Sequence, residues 1–298
     1  MKKILFLISF CIIQITASAQ ITAREILKQK TEADLKGIIN SSPSLTGLMA
    51  IDLTSGETIG INSDLIFTQA SAIKIPILME VYKQAHEKKF ALTDIKLLQP
   101  INTVAGSGIL TVMTDPVNLS IRNYCMLMIG LSDNSATNTL IDLVGLKNVT
   151  NTMLSLGFSN TRLQRKMIDQ PASLRNEENI STPAEAAKIL KLLFDGKFID
   201  AATSNEILSM LQKNPIENSK IATGVPANIK IAFKTGGMGG VSTEWAIVYL
   251  KNRPYALAIM ENYKTEATPV TIFGLISKRI FNYFSMMKAT KYGVLLDN

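Results

Sequence analysis

The sequence predicts an α/β (α+β) protein in which helices flank an antiparallel sheet and an all-helical domain is inserted between its strands. Strand patterns occur near both ends of the chain, and the section from about 71 to 211 is mainly helical. An amphipathic helix pattern accompanies the strands at each end. We therefore expect both ends of the chain to build one sheet.

The elements of the sheet domain follow in chain order. A helix is predicted over Thr22–Asn40, and a strand over Leu45–Asp52 turns at 54–56 and returns over 57–61 as a hairpin. Three further strand patterns follow the helical section: Lys230–Lys234, Trp245–Leu250 and Tyr255–Met260. A long amphipathic helix over Thr268–Met287 is expected to lie on the sheet.

The helical section has clear start and stop signals. Thr182 can cap a helix that begins at Pro183, with Glu185 as the reciprocal partner of a capping box, and Gly196 ends that helix. A second short helix is predicted over Asn134–Val144. The expected domains are 20–66 with 222–298 for the sheet, and 67–221 for the helices.

Residues 1–19 have the pattern of a signal peptide. Lys2 and Lys3 form a positive region, residues 4–15 are apolar, and Ala17-Ser18-Ala19 is a small-residue cleavage site. We expect cleavage after Ala19 and a periplasmic or secreted mature chain. No later segment is long and apolar enough to cross a bilayer, so stable membrane insertion is not expected.

Charge, cysteine and histidine content exclude several classes of function. The net charge of +7 is scattered without a basic stripe, so nucleic-acid binding is not supported. Cys125 is the one cysteine left after cleavage and reads as a buried structural residue; without a Cys/His cluster, no metal or cofactor is expected. His86 lies at the polar end of a helix, so a serine hydrolase would need lysine as its base.

Two S-x-x-K tetrapeptides could carry such chemistry: Ser71-Ala72-Ile73-Lys74 and Ser285-Met286-Met287-Lys288. At a helix start, serine and lysine three residues apart lie on one face, where a neutral amine can take the hydroxyl proton. About one such tetrapeptide is expected by chance in a chain of this length. The surrounding motifs must therefore distinguish the two copies.

Two partner motifs follow the first copy, in a fixed order. Ser132-Asp133-Asn134 precedes a helix, and Lys234-Thr235-Gly236 stands at the predicted end of a strand, followed by Gly237. Alone, the first reads as a helix-capping cluster and the second as a strand running into a glycine-rich loop. The chance of all three motifs together is well below about one per cent. Ser285 has no such partners downstream.

The ordered set resembles the penicillin-recognising serine hydrolases, and within them the class A β-lactamases and their close relatives. The resemblance implies a β-lactamase/DD-peptidase-like fold and a nucleophilic Ser71, with Lys74 or a water removing its proton and Ser132 protonating the departing nitrogen. It further implies an oxyanion hole made by the N–H groups of Ser71 and Gly237.

The resemblance also implies how substrate is bound. Asn134 would hydrogen-bond an acyl-amide side chain and steady Lys74. Lys234 and Thr235, with Gly236, would meet a substrate carboxylate. The expected partner is a small β-lactam or a D-Ala-D-Ala-like peptide, bound by a monomer.

One loop departs from the family pattern R-x-E-x-x-x-N, whose glutamate activates the deacylating water. Counting from Arg165 places Met167 at the glutamate position and Pro171 at the asparagine position. Asp169 is the nearest carboxylate. It is either a loop residue paired to Arg165 or to a backbone N–H, or a replacement deacylation base.

Three functions share this site. The first is a β-lactamase that acylates Ser71 and then hydrolyses the acyl group. The second is a DD-peptidase or peptidoglycan-processing hydrolase, and the third is a penicillin-binding protein that acylates without efficient turnover. Export without a membrane anchor or a further domain favours the first.

Overall fold

The computed structural model describes residues 22–268, 272–290 and 292–294. The predicted signal peptide lies outside these ranges. The helices among the described residues are α1 (Ala23–Asn40), α2 (Lys74–His86), α3 (Ile121–Gly130), α4 (Asn134–Val144), α5 (Leu146–Ser155), α6 (Gln170–Leu174), α7 (Pro183–Phe194), α8 (Ala201–Leu211) and α9 (Ile272–Met286). In these ranges no helix combines the length and apolar character needed to cross a bilayer.

A five-stranded antiparallel sheet unites the two ends of the chain, as predicted. Its strands are β1 (Leu45–Asp52), β2 (Thr58–Ile61), β7 (Ile231–Met238), β8 (Val241–Val248) and β9 (Tyr255–Asn262), in the order β2-β1-β9-β8-β7. Four short strands form two separate pairs: β3 (Phe67–Thr68) with β6 (Ile180–Ser181), and β4 (Ile95–Leu97) with β5 (Asn118–Ser120). β7 is an edge strand, so one of its sides is open.

The sheet separates two hydrophobic cores. On one face, Ala246, Val248 and Leu257 pack with Ile276 and Phe284 of α9. On the other face, side chains such as Trp245 and Ile247 join the core of the helical section. Alternation along β8 assigns successive residues to opposite faces, and this decides which of its polar side chains can approach Ser71.

The structure corrects three local predictions. β7 continues to Met238, so Lys234-Thr235-Gly236 lies within a strand and not at its end. Thr268, the predicted first residue of the last helix, is not helical, and the described part of that helix spans Ile272–Met286. Thr182 caps α7, but the carboxylate of Glu185 accepts hydrogen bonds from Asn160 N and Thr161 Oγ1 and does not close a capping box.

Candidate active site

Ser71 lies in a 3₁₀ turn, Ala70–Ile73, that leads directly into α2. The turn is anchored by the buried Gln69 before it. The carbonyl oxygen of Gln69 accepts hydrogen bonds from Ala72 N and Thr243 Oγ1, both at 2.9 Å. Its side-chain oxygen accepts one from Trp245 Nε1, also at 2.9 Å. These bonds fix the nucleophile turn to the central strands.

Gly236 permits β7 to approach this turn closely. A Cβ at this position would lie 2.4 Å from Gln69 O, 2.6 Å from Thr243 Oγ1 and 2.8 Å from Ala72 N. No side chain fits such a space. Gly236 was predicted to bind substrate; it lines the cavity described below, and its packing explains why glycine is required.

Lys74 is completely buried beside Ser132 and Asn134. Its Nζ donates to Ser132 O at 2.7 Å, to Asn134 Oδ1 at 2.9 Å and to Ser132 Oγ at 3.1 Å. Burial, reinforced by the charge of Lys234, holds the Lys74 pKa well below its ordinary value, against the opposing effect of Asp133. A lysine with a lowered pKa can be neutral near pH 7 and accept a proton.

The Ser132 hydroxyl connects Lys74 and Lys234, the lysines of two motifs. Its Oγ accepts from Lys74 Nζ and from Lys234 Nζ, each at 3.1 Å. A hydroxyl has two acceptor lone pairs and one donor. Because both lone pairs accept hydrogen bonds from the amines, the hydroxyl proton of Ser132 points away from Lys74 and Lys234. Ser132 has φ 53°, a left-handed conformation that a serine adopts only where its surroundings hold it.

Asp133 supplies that constraint. One carboxylate oxygen caps α4 through Ala136 N at 2.8 Å, and the other accepts from Ile109 N at 2.7 Å and Leu110 N at 2.9 Å. The motif therefore caps a helix, and its residues Ser132 and Asn134 also contact Lys74. Asp133 was not among the predicted site residues.

Lys234 lies on β7 and faces the helical section. Burial lowers its pKa to about 8, while Glu244 acts in the opposite direction. Its Nζ also donates to Thr235 O at 3.0 Å. The amine is thus held between the strand and Ser132.

A cavity of about 470 Å³ brings the motifs together. Its lining includes Ser71, Ser132, Lys234, Thr235, Gly236 and Gly237. A further cation, Lys220, lines it as well and donates to Ser242 Oγ at 2.6 Å. Lys220 belongs to no motif and was missed from the sequence.

The predicted oxyanion donors lie at this cavity. Gly237 pairs with Ser242 along the inner side of β7, and the first atom a Cβ on Gly237 would meet lies 4.0 Å away. Gly237 therefore borders open space on the same cavity as Ser71. The arrangement suits a carbonyl oxygen placed between the nucleophile turn and the edge strand.

Comparison with known proteins agrees with this geometry. The family model of the β-lactamase enzyme family matches residues 30–284. The chain belongs to the β-lactamase enzyme family. It is 28% identical over 271 residues to an imipenem-hydrolysing β-lactamase of Enterobacter cloacae, with 89% of each chain covered. It is 27% identical to the β-lactamase SME-1 of Serratia marcescens, with 80% of each covered.

A solved structure supports the same assignment. The β-lactamase of Sphaerobacter thermophilus matches with a TM-score of 0.79 and 29% identity, over 86% of this chain and 97% of that one. The protein is a serine hydrolase of the class A β-lactamase type, as the resemblance of its motifs implied.

The loop that departs from the β-lactamase family pattern is held at both ends. Arg165 Nη2 donates to Glu178 Oε2 at 2.8 Å, so its carboxylate partner is Glu178 and not Asp169. Asn179 Oδ1 accepts from Gln164 N at 2.8 Å and Arg165 N at 3.1 Å. These hydrogen bonds join the two ends of the loop to each other.

Met167 is buried where this β-lactamase family carries its glutamate. Asn138 holds the Met167 backbone, accepting from its N–H at 2.8 Å and donating to its carbonyl oxygen at 3.2 Å. Pro171 lies in the first turn of α6. Neither side chain can act as a base.

Asp169 caps α6 and borders a second cavity of about 300 Å³. One of its carboxylate oxygens accepts from Ala172 N at 3.1 Å. The same cavity is lined by Ser71, Asn134 and Met167. Asp169 is therefore hydrogen-bonded to a backbone N–H, and it lies on a cavity that Ser71 also lines.

The remaining candidates lie away from this β-lactamase site. The imidazole of His86 is 59% exposed, 4.0 Å from Asp200, and Cys125 is buried. Ser285 is in the last turn of α9, on the far side of the sheet, and Lys288 follows the helix. Among the described residues, no group of three or more His, Cys, Asp or Glu side chains could hold a metal ion.

Proposed function

We propose that this protein hydrolyses the amide bond of β-lactams through an acyl-enzyme on Ser71. One observation carries the proposal: the Ser132 hydroxyl accepts from both Lys74 and Lys234 on a cavity that Ser71 also lines. This arrangement supports our assignment of Ser71 as nucleophile, Lys74 as base, Ser132 as proton donor and Lys234 as the cation that binds the substrate carboxylate.

Acylation follows from these contacts. In its neutral form, which burial favours by lowering its pKa, Lys74 takes the proton of Ser71 Oγ, directly or through a water, and Ser71 Oγ bonds to the β-lactam carbonyl carbon. As the C–N bond breaks, the nitrogen takes the Ser132 proton, and Lys74 returns a proton to Ser132 along their 3.1 Å contact. The serine proton has thereby moved to the leaving nitrogen.

Binding groups surround this reaction. The N–H groups of Ser71 and Gly237 stabilise the developing oxyanion. Lys234 and Thr235 meet the substrate carboxylate, and Lys220 adds a second positive charge to the same wall. Asn134, whose Nδ2 donates to Ala105 O at 3.2 Å, orients Lys74 and the acyl-amide group.

For deacylation, we propose Asp169 as the base. It is the carboxylate on the cavity that adjoins Ser71 along the loop 164–179. One of its oxygens accepts from Ala172 N, and among the described residues the other oxygen has no hydrogen-bond donor, so a water can bind there. The water gives one proton to Asp169 and its oxygen to the acyl carbon. As the bond between Ser71 Oγ and the acyl carbon breaks, Ser71 Oγ takes that proton back from Asp169, directly or through a water, and both side chains are regenerated.

The proposed setting is outside the cytoplasm. The pattern of residues 1–19 supports cleavage after Ala19 and export to the periplasm or the medium, where we propose that the enzyme acts as a monomer. There it would intercept β-lactam antibiotics. Size-exclusion chromatography and N-terminal sequencing of the exported protein test these points.

A chromogenic cephalosporin, followed together with intact-mass measurement, tests the proposed reaction. We expect sustained turnover, abolished in Ser71→Ala. The control is Ser285→Ala, which removes the serine of the second S-x-x-K and is expected to retain full turnover. Turnover that survives Ser71→Ala would refute the mechanism.

Met167 supports one second candidate, a penicillin-binding protein that acylates without efficient turnover. The position that activates water in the family pattern holds a buried apolar side chain here. The same mass measurement separates the two functions. A stable adduct on Ser71 without continuing product release would establish the second candidate in place of the first.

A further inference from the structure

Glu244 is a completely buried carboxylate on the face of the sheet opposite to Ser71. It pairs with Thr235 across β7 and β8. Its neighbours Thr243 and Trp245 reach Gln69 beneath the nucleophile turn. Because side chains alternate along a strand, Glu244 points to the side of α9. Its side chain is completely buried and is not among the residues that line the cavity with Ser71.

Its carboxylate accepts three hydrogen bonds from the turn Ser219–Ile221. Glu244 Oε2 accepts from Lys220 N at 2.9 Å and from Ile221 N at 3.1 Å. Its other oxygen accepts from the Ser219 hydroxyl, whose oxygen in turn accepts from Ala222 N at 2.9 Å. This turn leads into the 3₁₀ turn Ile221–Gly224, which packs against α9.

Lys220 belongs to this turn, and its side chain lines the active-site cavity. The Lys220 ammonium is fixed there by its 2.6 Å bond to Ser242 Oγ, and it lines the cavity with Thr235 and Lys234. An ionised Glu244 holds this backbone through charge-assisted hydrogen bonds, which are stronger than neutral ones.

We propose that Glu244 is a positioning residue, which sets Lys220 against the carboxylate of the substrate by holding the turn Ser219–Ile221. This role rests on the proposed function. It predicts that Glu244 governs discrimination between substrates with and without a carboxylate, although it touches neither.

Electrostatics are consistent with this geometry. Burial raises the pKa of Glu244 to about 7, against the three hydrogen bonds and Lys220, which lower it. Burial lowers the pKa of Lys234 to about 8 and, together with the charge of Lys264, lowers the pKa of Lys220, and Glu244 opposes both shifts. The buried carboxylate thus favours the charged form of both cations on the cavity wall.

The test is Glu244→Gln, which keeps the shape of the side chain, removes its charge and replaces one acceptor oxygen by an amide donor. Acylation rates are measured by intact mass with a penicillin and with its methyl ester. We expect the rate ratio between penicillin and ester to fall about tenfold, the effect of losing one well-placed charged contact.

Two comparisons separate positioning from a merely structural role. Glu80→Gln is the matched control, since Glu80 is another buried carboxylate, bonded to Gln84 and Thr152 and absent from the cavity lining. We expect its ratio to remain that of the wild type. In a Lys220→Ala background, Glu244→Gln should lower the ratio no further, because the two residues act through one contact.

Ser219→Ala provides a second, milder variant in case Glu244→Gln does not fold. It removes one of the three donors and should lower the ratio by about threefold. Equal loss of rate with both substrates, or an unchanged ratio, in acylated variants would overturn the role of Glu244 alone. Failure of the wild-type protein to be acylated would refute the proposed function and this role with it.

Discussion

Substitution of Gly236 by alanine tests how closely the edge strand must approach the nucleophile turn. The added Cβ would lie 2.4 Å from Gln69 O and 2.8 Å from Ala72 N, both backbone atoms. An ordinary contact begins near 3.4 Å. The turn and β7 must therefore separate by about 1 Å, since neither atom belongs to a side chain that could rotate away.

The size of the effect follows from this displacement. Overpacking a rigid site costs about 1–3 kcal/mol of unfolding free energy. In a chain of this size that lowers the midpoint of thermal unfolding by roughly 2–12 °C. A shift of about 1 Å in a reacting group costs on the order of 100-fold in rate. We expect acylation of Ser71 to fall by that factor.

The assay combines thermal unfolding with the acylation rate, each compared with Gly239→Ala. Gly239 follows β7, and a Cβ there would meet nothing within 4 Å. This control should leave both quantities near the wild-type values. If Gly236→Ala matched Gly239→Ala in both, the close approach of the strand to the nucleophile turn would not be needed for the reaction.

Three further predictions concern the base, the pH dependence and the Ser132 support. Asp169→Asn should leave the acylation rate unchanged and should accumulate the acyl adduct in intact-mass spectra. The control Glu177→Gln, at an exposed residue of the same loop, should turn over normally. Normal turnover in Asp169→Asn would refute the role of Asp169 as base. Because the Lys234 pKa is about 8, kcat/KM for a carboxylate substrate should fall as pH rises through 8 and the ammonium is lost, and a methyl ester should show no such limb. Asp133→Ala removes a helix cap and two loop hydrogen bonds and should cost about 2–4 kcal/mol in denaturant unfolding. The control Asp200→Ala removes the cap of α8 and an exposed contact with His86 and should cost about 1 kcal/mol; equal costs would exclude the loop contribution.

Features encoded by short stretches of sequence were predictable. The first strand and the helix Asn134–Val144 have the bounds that their patterns indicate, because periodicity and a capping residue determine each locally. The three motifs also identified Ser71 against Ser285, since their order and spacing carry information that a tetrapeptide lacks. Their side chains converge on one cavity.

Features that depend on contacts between distant parts of the chain were not predictable from the sequence. Gln69 carries no motif, and its partners Thr243 and Trp245 lie more than 170 residues away in the chain. Lys220 reads as an ordinary charged residue until the fold places it at the cavity. Glu185 shows the reverse error: its local pattern predicts a capping box, but Asn160 and Thr161 provide better-placed donors.

Glu244 could have been noticed, although its role could not. It interrupts a strand whose other central residues are apolar or small, and a carboxylate within a buried strand requires partners. The sequence does not identify those partners, since Ser219 and Lys220 precede it by more than twenty residues in a turn without a regular pattern.

The two steps of the proposed reaction use different sides of Ser71. Acylation draws on Lys74, Ser132 and Lys234, which are bonded to one another at the larger cavity. Deacylation would draw on Asp169, which belongs to the loop 164–179 and, in the described parts of the chain, makes no hydrogen bond to these three residues. Substitutions in the loop can therefore slow release of the acyl group while leaving its formation intact. This separation explains how one set of motifs can serve both a hydrolase and a slowly released penicillin-binding protein.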